Sequence, residues 1–252
     1  MERHIVVAGQ SRSGSTLFYN MLRNTLKGFQ MVSSEAPTLP LLDTPGNICT
    51  KRPFDIFDIP KIVERAKGKK RIDLIVTLRD PRDVLTSRHK AVPDDYFIAA
   101  DRCYFVPEGR TPEFTAPGFL PVHDAIVKAV SPDYFPQGVF LLKYEHLIED
   151  PDRIQAKLAD AYGLEFEGSF ADFHKHDVPL ALQGPLNGVR PVDHSRMEKW
   201  RKPEHRDRII EQFTSFPQLH DVLEGLGYEK DRTWFEQLLD ESAGPAASAV
   251  GA

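Results

Sequence analysis

The sequence feature that most constrains this chain is a turn rich in glycine and serine, which joins a predicted buried strand to a predicted helix. The apolar residues 5–8 predict the strand, residues 9–16 form the turn, and residues 15–26 predict an amphipathic helix. Small residues let the backbone approach a ligand closely, and the first amides of a helix favour an anion. The turn therefore predicts a site for a phosphate or a sulfate.

The spacing of this turn differs from that of the nucleoside-triphosphate loops, whose pattern is G-x-x-x-x-G-K-S/T. Gly9 and Gly14 match the two glycines, but Ser15 and Thr16 follow where those loops have a lysine and then a serine or threonine. Because that lysine contacts the transferred phosphates, its absence argues against a kinase or an NTPase. Arg12 offers a cation inside the turn instead. A purely structural turn is the alternative interpretation.

A second turn from a buried strand into a helix carries a similar set of polar residues. Residues 74–78 predict the strand and residues 81–90 the helix, with Asp80 as its cap. Arg79 at the strand end can hold a phosphate with two hydrogen bonds, and Ser87 in the predicted helix can donate to the same anion. The alternative is an arginine–aspartate network that only stabilises the turn.

The chain alternates predicted strands and helices, which indicates a parallel sheet with helices on both faces. Residues 36–60 are rich in proline and have no clear period, and residues 91–119 form a long connection whose aromatic and cationic side chains suit an acceptor pocket. We predict one α/β domain over residues 1–241 and a disordered tail over residues 242–252. Further strands are predicted at residues 30–33 and 139–143, and helices at residues 58–66, 121–130, 152–162, 203–214, 217–226 and 232–240.

Composition narrows the class of protein. A hydrophobic fraction of 41% and a charged fraction of 27% are ordinary for a globular domain. The formal net charge of -5 gives no overall attraction to nucleic acid or to an anionic membrane. No stretch has the length and apolarity of a membrane span, so we expect a cytoplasmic protein.

The two turns together resemble the nucleotide signatures of the sulfotransferase family. One turn contains Arg12, and the other has Arg79 eight residues before Ser87. The resemblance implies that the second turn, through Arg79 and Ser87, holds the 3′-phosphate of 3′-phosphoadenosine 5′-phosphosulfate (PAPS). It implies that the 5′-phosphosulfate is held by the first turn, through Arg12, Ser13, Gly14, Ser15 and Thr16.

Two later segments strengthen the resemblance. Residues 144–151, which begin with Tyr144, are similar to a family segment near the nucleotide, and Lys199-Trp200 resembles the family's closing loop. The tyrosylprotein and related carbohydrate sulfotransferases look closest. The cytosolic phenol and steroid enzymes carry lysine where Arg12 stands and use a histidine base, whereas the tyrosylprotein branch has a glutamate about where Glu35 falls. That branch also has a segment like residues 189–191 before its Lys-Trp pair.

The resemblance implies in-line transfer of a sulfuryl group from PAPS to a hydroxyl acceptor, with adenosine 3′,5′-bisphosphate (PAP) as the product. Such a transfer requires no metal if fixed cations and amides stabilise the developing charge, and Arg12, Lys199 and the amides of residues 13–16 would serve. The acceptor hydroxyl must lose its proton to a base. Glu35, which follows the predicted second strand at the ligand-binding edge of the sheet, is our prediction, and His89 is the competing base.

Two other functions fit the same residues less well. A nucleotide phosphotransferase would use Asp80 at its strand end to bind a metal. A non-catalytic nucleotide-binding protein would have kept the fold without turnover. The sequence does not distinguish among a small phenol, a carbohydrate and a peptide tyrosine as the acceptor, and it gives no indication of the oligomeric state.

Overall fold

A computed structural model describes residues 1–88, 97–105, 114–186 and 188–243 of the chain. The chain divides into two compact units. The first unit comprises Met1–Arg79 and Pro121–His194, and the second comprises Asp80–Leu120 and Ser195–Ala252.

Strands and helices alternate through most of the described chain. The strands are β1 Glu2–Gly9, β2 Gln30–Met31, β3 Ile48–Lys51, β4 Lys70–Leu78, β5 Arg102–Phe105, β6 Phe114–Pro117 and β7 Phe140–Lys143. The helices are α1 Ser15–Thr25, α2 Ile59–Ala66, α3 Pro81–Leu85, α4 Phe119–Ala129, α5 Tyr144–Glu149, α6 Pro151–Tyr162, α7 Leu180–Leu186, α8 Arg206–Ser215, α9 Gln218–Gly225 and α10 Thr233–Ala243.

The first unit is built on a parallel sheet of five strands in the order β2-β3-β1-β4-β7. β1 and β4 lie at its centre and are nearly continuous apolar runs, as strands covered on both faces must be. Ile5 and Val7 pack with α1, α6 and α7 in the main core, whereas the alternating Val6 and Ala8 are buried on the opposite face. The predicted fold class, a central parallel sheet flanked by helices, is confirmed.

Several short elements lie where the sequence predicts no regular structure, and the six-residue helix α5 is one of them. β3 falls within residues 36–60, the antiparallel hairpin of β5 and β6 falls within residues 91–119, and α7 overlaps the loose stretch at residues 183–191. None of these elements is longer than seven residues, so each is too short to establish a period. Much of the predicted acceptor loop, residues 89–96 and 106–113, lies outside the described residues.

α3 is shorter than the sequence predicts. The helix expected over residues 81–90 ends at Leu85, so the prediction that Ser87 lies in the helix is wrong. At Thr86, the hydroxyl donates a hydrogen bond to the Arg82 carbonyl at 2.8 Å. Such a bond to the backbone of the preceding turn slightly destabilises a helix, and this one lies where α3 ends.

The C-terminal end of the described chain differs from the prediction by a few residues. α10 extends the predicted last helix to Ala243, and residues 244–252 of the expected tail lie outside the described residues. Within the described ranges, no helix combines the length and the apolarity that crossing a bilayer requires.

The second unit has a core of aromatic rings contributed by α8, α9 and α10. The ring of Phe213 lies 5.0 Å from those of both His220 and Trp234. Trp200 packs edge-on against Trp234 at 5.6 Å. The guanidinium of Arg82, from α3, lies 3.9 Å from the Trp200 ring centroid and 4.6 Å from that of Trp234. This cation between two indoles ties α3 to the C-terminal helices.

A buried polar network lies beside β1 and β3 in the first unit. His4 Nε2 and Thr38 Oγ1 lie 2.9 Å and 2.8 Å from Thr50 Oγ1, and the Thr38 hydroxyl donates to Asp55 Oδ2 at 2.6 Å. Burial, and then the charge of Lys70, lowers the pKa of His4 from 6.5 to about 4. Folded His4 is therefore neutral at pH values where the unfolded chain would be protonated.

This shift predicts a specific dependence of stability on pH. Between pH 6.5 and pH 4 the unfolded state binds more protons at His4 than the folded state does, so the free energy of unfolding falls as the pH falls through this window. His4→Gln keeps a donor for Thr50 and removes the titration. Between pH 6.5 and pH 4, the free energy of unfolding measured with urea should then fall less in His4→Gln than in the wild type, by up to about 3 kcal/mol. Identical pH profiles for the two proteins would contradict this assignment.

Candidate functional site

The predicted anion loop connects β1 to α1 with an unusual backbone. Gly9, Arg12 and Gly14 have positive φ angles of 122°, 61° and 79°. Arg12 has a Cβ, so its left-handed conformation carries strain of the kind that is found at binding sites. α1 begins at Ser15 after Gly14, which has no side chain to cap it. The first amides of α1 have no acceptor within the helix and are available to an anion.

Hydrogen bonds attach this loop to the carboxyl end of β4. The Gln10 amide donates to the Thr77 carbonyl at 3.0 Å, and Gln10 Oε1 accepts from the Arg79 amide at 2.8 Å. The Ser13 hydroxyl is buried and bonds to the Gln10 carbonyl at 2.6 Å and to Thr77 Oγ1 at 2.8 Å. The side chain of Ser13 therefore stabilises the loop, and its amide is the group left to contact a ligand.

Four of the predicted nucleotide-binding residues lie together around this loop. Arg79 Nη1 donates to the Arg12 carbonyl at 3.1 Å, and the Arg79 guanidinium lies 4.4 Å from the ring centroid of Tyr144. The same ring packs against Gly14, where an added Cβ would lie 2.4 Å from Tyr144 Cδ2. Tyr144, the first residue of α5, thus holds both the loop and the arginine of the second turn.

Glu35 is bound to the loop through a lysine that the sequence predictions missed. Lys51, the last residue of β3, donates to Glu35 Oε2 at 2.5 Å and to Thr16 Oγ1 at 3.0 Å. The Lys51 side chain is 3% exposed, whereas that of Glu35 is 51% exposed. A signal was present in the sequence, because residues 48–51 are a short β-prone run whose final lysine lies at the carboxyl end of a parallel strand, where ligands gather.

The remaining predicted site residues belong to the second unit or lie outside the described chain. Ser87 follows α3, and Lys199 opens a short 3-10 turn, Lys199–Arg201. Trp200 is buried, and its amide donates to Asp83 Oδ1 at 3.1 Å. His89, the competing base, falls outside the described residues.

An arginine–aspartate network does stabilise the second turn, and it involves Arg82. Arg82 Nε lies 3.0 Å from Asp80 Oδ1, and Arg82 Nη2 lies 2.8 Å from Asp80 Oδ2. Arg82 Nη1 also donates to Glu229 Oε1 at 2.5 Å. Desolvation opposes the charge of Arg82, but the two carboxylates prevail and raise its pKa above the usual value. In the described part of the chain, no three His, Cys, Asp or Glu side chains lie together as a metal site would require.

No family model and no curated protein matches the sequence, but solved structures match the fold. The mouse sulfotransferase SULT7A1, in a complex with PAP, matches with a TM-score of 0.55 at 13% identity, over 88% of this chain and 87% of that one. The sulfotransferase domain of the Synechococcus PCC 7002 olefin synthase matches with a TM-score of 0.52 at 14% identity, over 80% of this chain and 88% of that one. The chain has the sulfotransferase fold, as its motifs predicted.

The contact between the loop and Tyr144 generates a stability prediction. Gly14→Ala places a side chain at a φ of 79° and brings its Cβ within 2.4 Å of the Tyr144 ring. Gly28→Ala is the matched control, because Gly28 has a similar φ of 75° with no atom within 4 Å of the added Cβ. Both variants carry the left-handed penalty of about 1–2 kcal/mol. The free energy of unfolding measured with urea should fall by about 1–3 kcal/mol more in Gly14→Ala than in Gly28→Ala. Equal decreases in the two variants would mean that Tyr144 does not constrain the loop.

Proposed function

We propose that this chain is a PAPS-dependent sulfotransferase, which moves a sulfuryl group from PAPS to a hydroxyl acceptor. The observation that carries the proposal is the position of Glu35. Lys51 connects this carboxylate to Thr16 in the first turn of α1, beside the anion loop. The proposed base for the acceptor proton therefore lies beside the proposed site for the transferred anion, on a sulfotransferase fold.

The residues of the first unit supply the groups that this reaction needs. The amides of residues 13–16 and the Arg12 side chain are the proposed donors to the phosphosulfate, and Arg79 is the proposed cation for the 3′-phosphate. In the reaction an acceptor oxygen forms a bond to sulfur as the bond from sulfur to the phosphate oxygen breaks. The electron pair of the broken bond stays on the phosphate oxygen, and the proton of the acceptor hydroxyl passes to Glu35. Lys199 is a further proposed cation, in the second unit.

The rival phosphotransferase function is disfavoured by the surroundings of Asp80. That function requires the carboxylate to hold a metal ion at the end of β4. Both of its oxygens accept hydrogen bonds from the Arg82 guanidinium, at 3.0 Å from Nε and 2.8 Å from Nη2. An arginine in this position competes with a divalent cation for the same oxygens.

Nucleotide binding gives the first test of the proposed function. PAP should raise the melting temperature, because a ligand at 100 times its Kd stabilises the folded state by about 2.7 kcal/mol. ATP with magnesium should have a much smaller effect. Arg79→Ala should weaken PAP binding by about 10-fold or more, since it removes a charged phosphate contact. Stabilisation by ATP with magnesium and none by PAP would refute the proposal and favour the phosphotransferase.

Transfer of labelled sulfate gives the second test and identifies the acceptor class. Labelled PAPS is incubated with 4-nitrophenol, a tyrosine-containing peptide and a glucosamine oligosaccharide as separate probes. With the acceptor that reacts fastest, Glu35→Gln should lower kcat by about 10²–10⁴-fold, because the amide cannot take the proton, while PAP still raises the melting temperature.

Glu167→Gln is the matched control for that substitution. Glu167 is an exposed carboxylate in the first unit that also pairs with a lysine, at 2.7 Å from Lys27 Nζ. Its replacement should leave kcat unchanged. If Glu35→Gln transfers sulfate as fast as Glu167→Gln, Glu35 is not the base and His89 becomes the leading candidate.

A further inference from the structure

Lys51, at the end of β3, brings an ammonium close to the place where the triphosphate loops have their lysine and this chain has Ser15. β3 pairs with β1 in parallel, with Lys51 level with Val7. From there its side chain reaches Thr16 Oγ1 at 3.0 Å, in the first turn of α1. The triphosphate loops place their lysine one residue before this threonine, where this chain has Ser15. A neighbouring strand thus brings a lysine to the first turn of the helix.

β3 also positions Glu35, through its backbone and its last side chain. The Ala36 amide donates to the Lys51 carbonyl at 3.4 Å, and the Lys51 ammonium holds the Glu35 carboxylate at 2.5 Å. Glu35 itself lies in a loop and its side chain is half exposed. An unrestrained glutamate samples several rotamers, so the ammonium restricts this carboxylate to the side of the loop that faces α1.

The charge of Lys51 has a consequence for the transfer step. Its side chain is 3% exposed, and a buried ammonium requires a negative partner. Glu35 provides that partner while it is ionised. When Glu35 takes the acceptor proton it becomes neutral, and the charge of the Lys51–Glu35 pair changes from zero to plus one. This change coincides with the transfer of an electron pair to the phosphate oxygen held by the loop.

We propose that Lys51 is the positioning residue of this site, which holds Glu35 against the first turn of α1 and whose charge is exposed to the anion loop as Glu35 takes up the acceptor proton. The inference rests on the proposed function. It assigns Lys51 no bond to the acceptor, and it requires Lys51 and Glu35 to act as one unit. A purely structural ion pair would contribute to folding without this coupling.

The kinetic test compares Lys51→Met with two further variants, using the acceptor found in the labelled-sulfate screen. Lys51→Met should lower kcat on the order of 100-fold, as misplacement of a reacting group does, with a change in the KM for PAPS of less than about 3-fold. Lys51→Arg keeps the charge and should recover part of kcat. Lys27→Met, which breaks the exposed pair with Glu167, should behave as the wild type.

The double variant tests whether the two residues act together. Glu35→Gln with Lys51→Met should be no slower than Glu35→Gln alone, since Lys51 acts through Glu35. Without any ligand, Glu35→Gln should lower the melting temperature because it leaves the ammonium without its counter-charge, and adding Lys51→Met should raise it again.

Two contrary outcomes separate this inference from the proposed function. In the first, the wild type binds PAP and transfers sulfate, but Lys51→Met matches Lys27→Met in kcat, or the losses in kcat and melting temperature caused by Glu35→Gln and Lys51→Met are additive in the double variant. The role of Lys51 is then refuted and the proposed function stands. If the wild type neither binds PAP nor transfers sulfate, the proposed function fails, and the inference fails with it.

Discussion

The hydrogen bonds between the anion loop and the end of β4 are the constraint on which the rest of the site depends. Gln10 and Ser13 are both buried. Gln10 bonds to Thr77 in β4 and to Arg79 just after it, and Ser13 bonds to Thr77. Buried hydrogen bonds of this kind are costly to break, because an unpaired polar group would be left without water. They hold three positive φ angles in place, including that of Arg12, which would otherwise relax. The two predicted phosphate sites consequently share one support.

Arg79 and Arg82, which both follow β4, have different surroundings. Arg79 lies over Tyr144 and donates to the Arg12 carbonyl, at the edge of the loop. Arg82, three residues later, is buried between two indole rings and neutralised by Asp80 and Glu229. A guanidinium that is fully paired and stacked has little capacity left for a ligand. The same comparison shows how an arginine–aspartate network and a predicted phosphate site can both follow one strand.

The parts of the site that could be predicted are those whose signal lies within one short stretch of sequence. The run from β1 through the loop into α1 is continuous in sequence, and its glycines, serines and apolar period are sufficient to predict an anion site there. Glu35 was predicted from its place after a strand, and the structure brings it through Lys51 to Thr16. β3 was missed because its four residues do not alternate and lie among prolines. The end of α3 was misplaced because the helical pattern in the sequence continues past Leu85, whereas the helix ends there and the Thr86 hydroxyl bonds back to the Arg82 carbonyl.

By itself, the sequence determined the fold class, and it predicted the anion loop with Arg12 inside it and Glu35 after the next strand, since these signals are local or repeat along the chain. Only the tertiary structure decided that Lys51 joins Glu35 to Thr16 and that Tyr144 packs on Gly14. These contacts arise from the strand order β2-β3-β1-β4-β7, which places β3 and β4 on either side of β1. Strand order is a property of the whole packed sheet, and no local period encodes which strand will lie beside which.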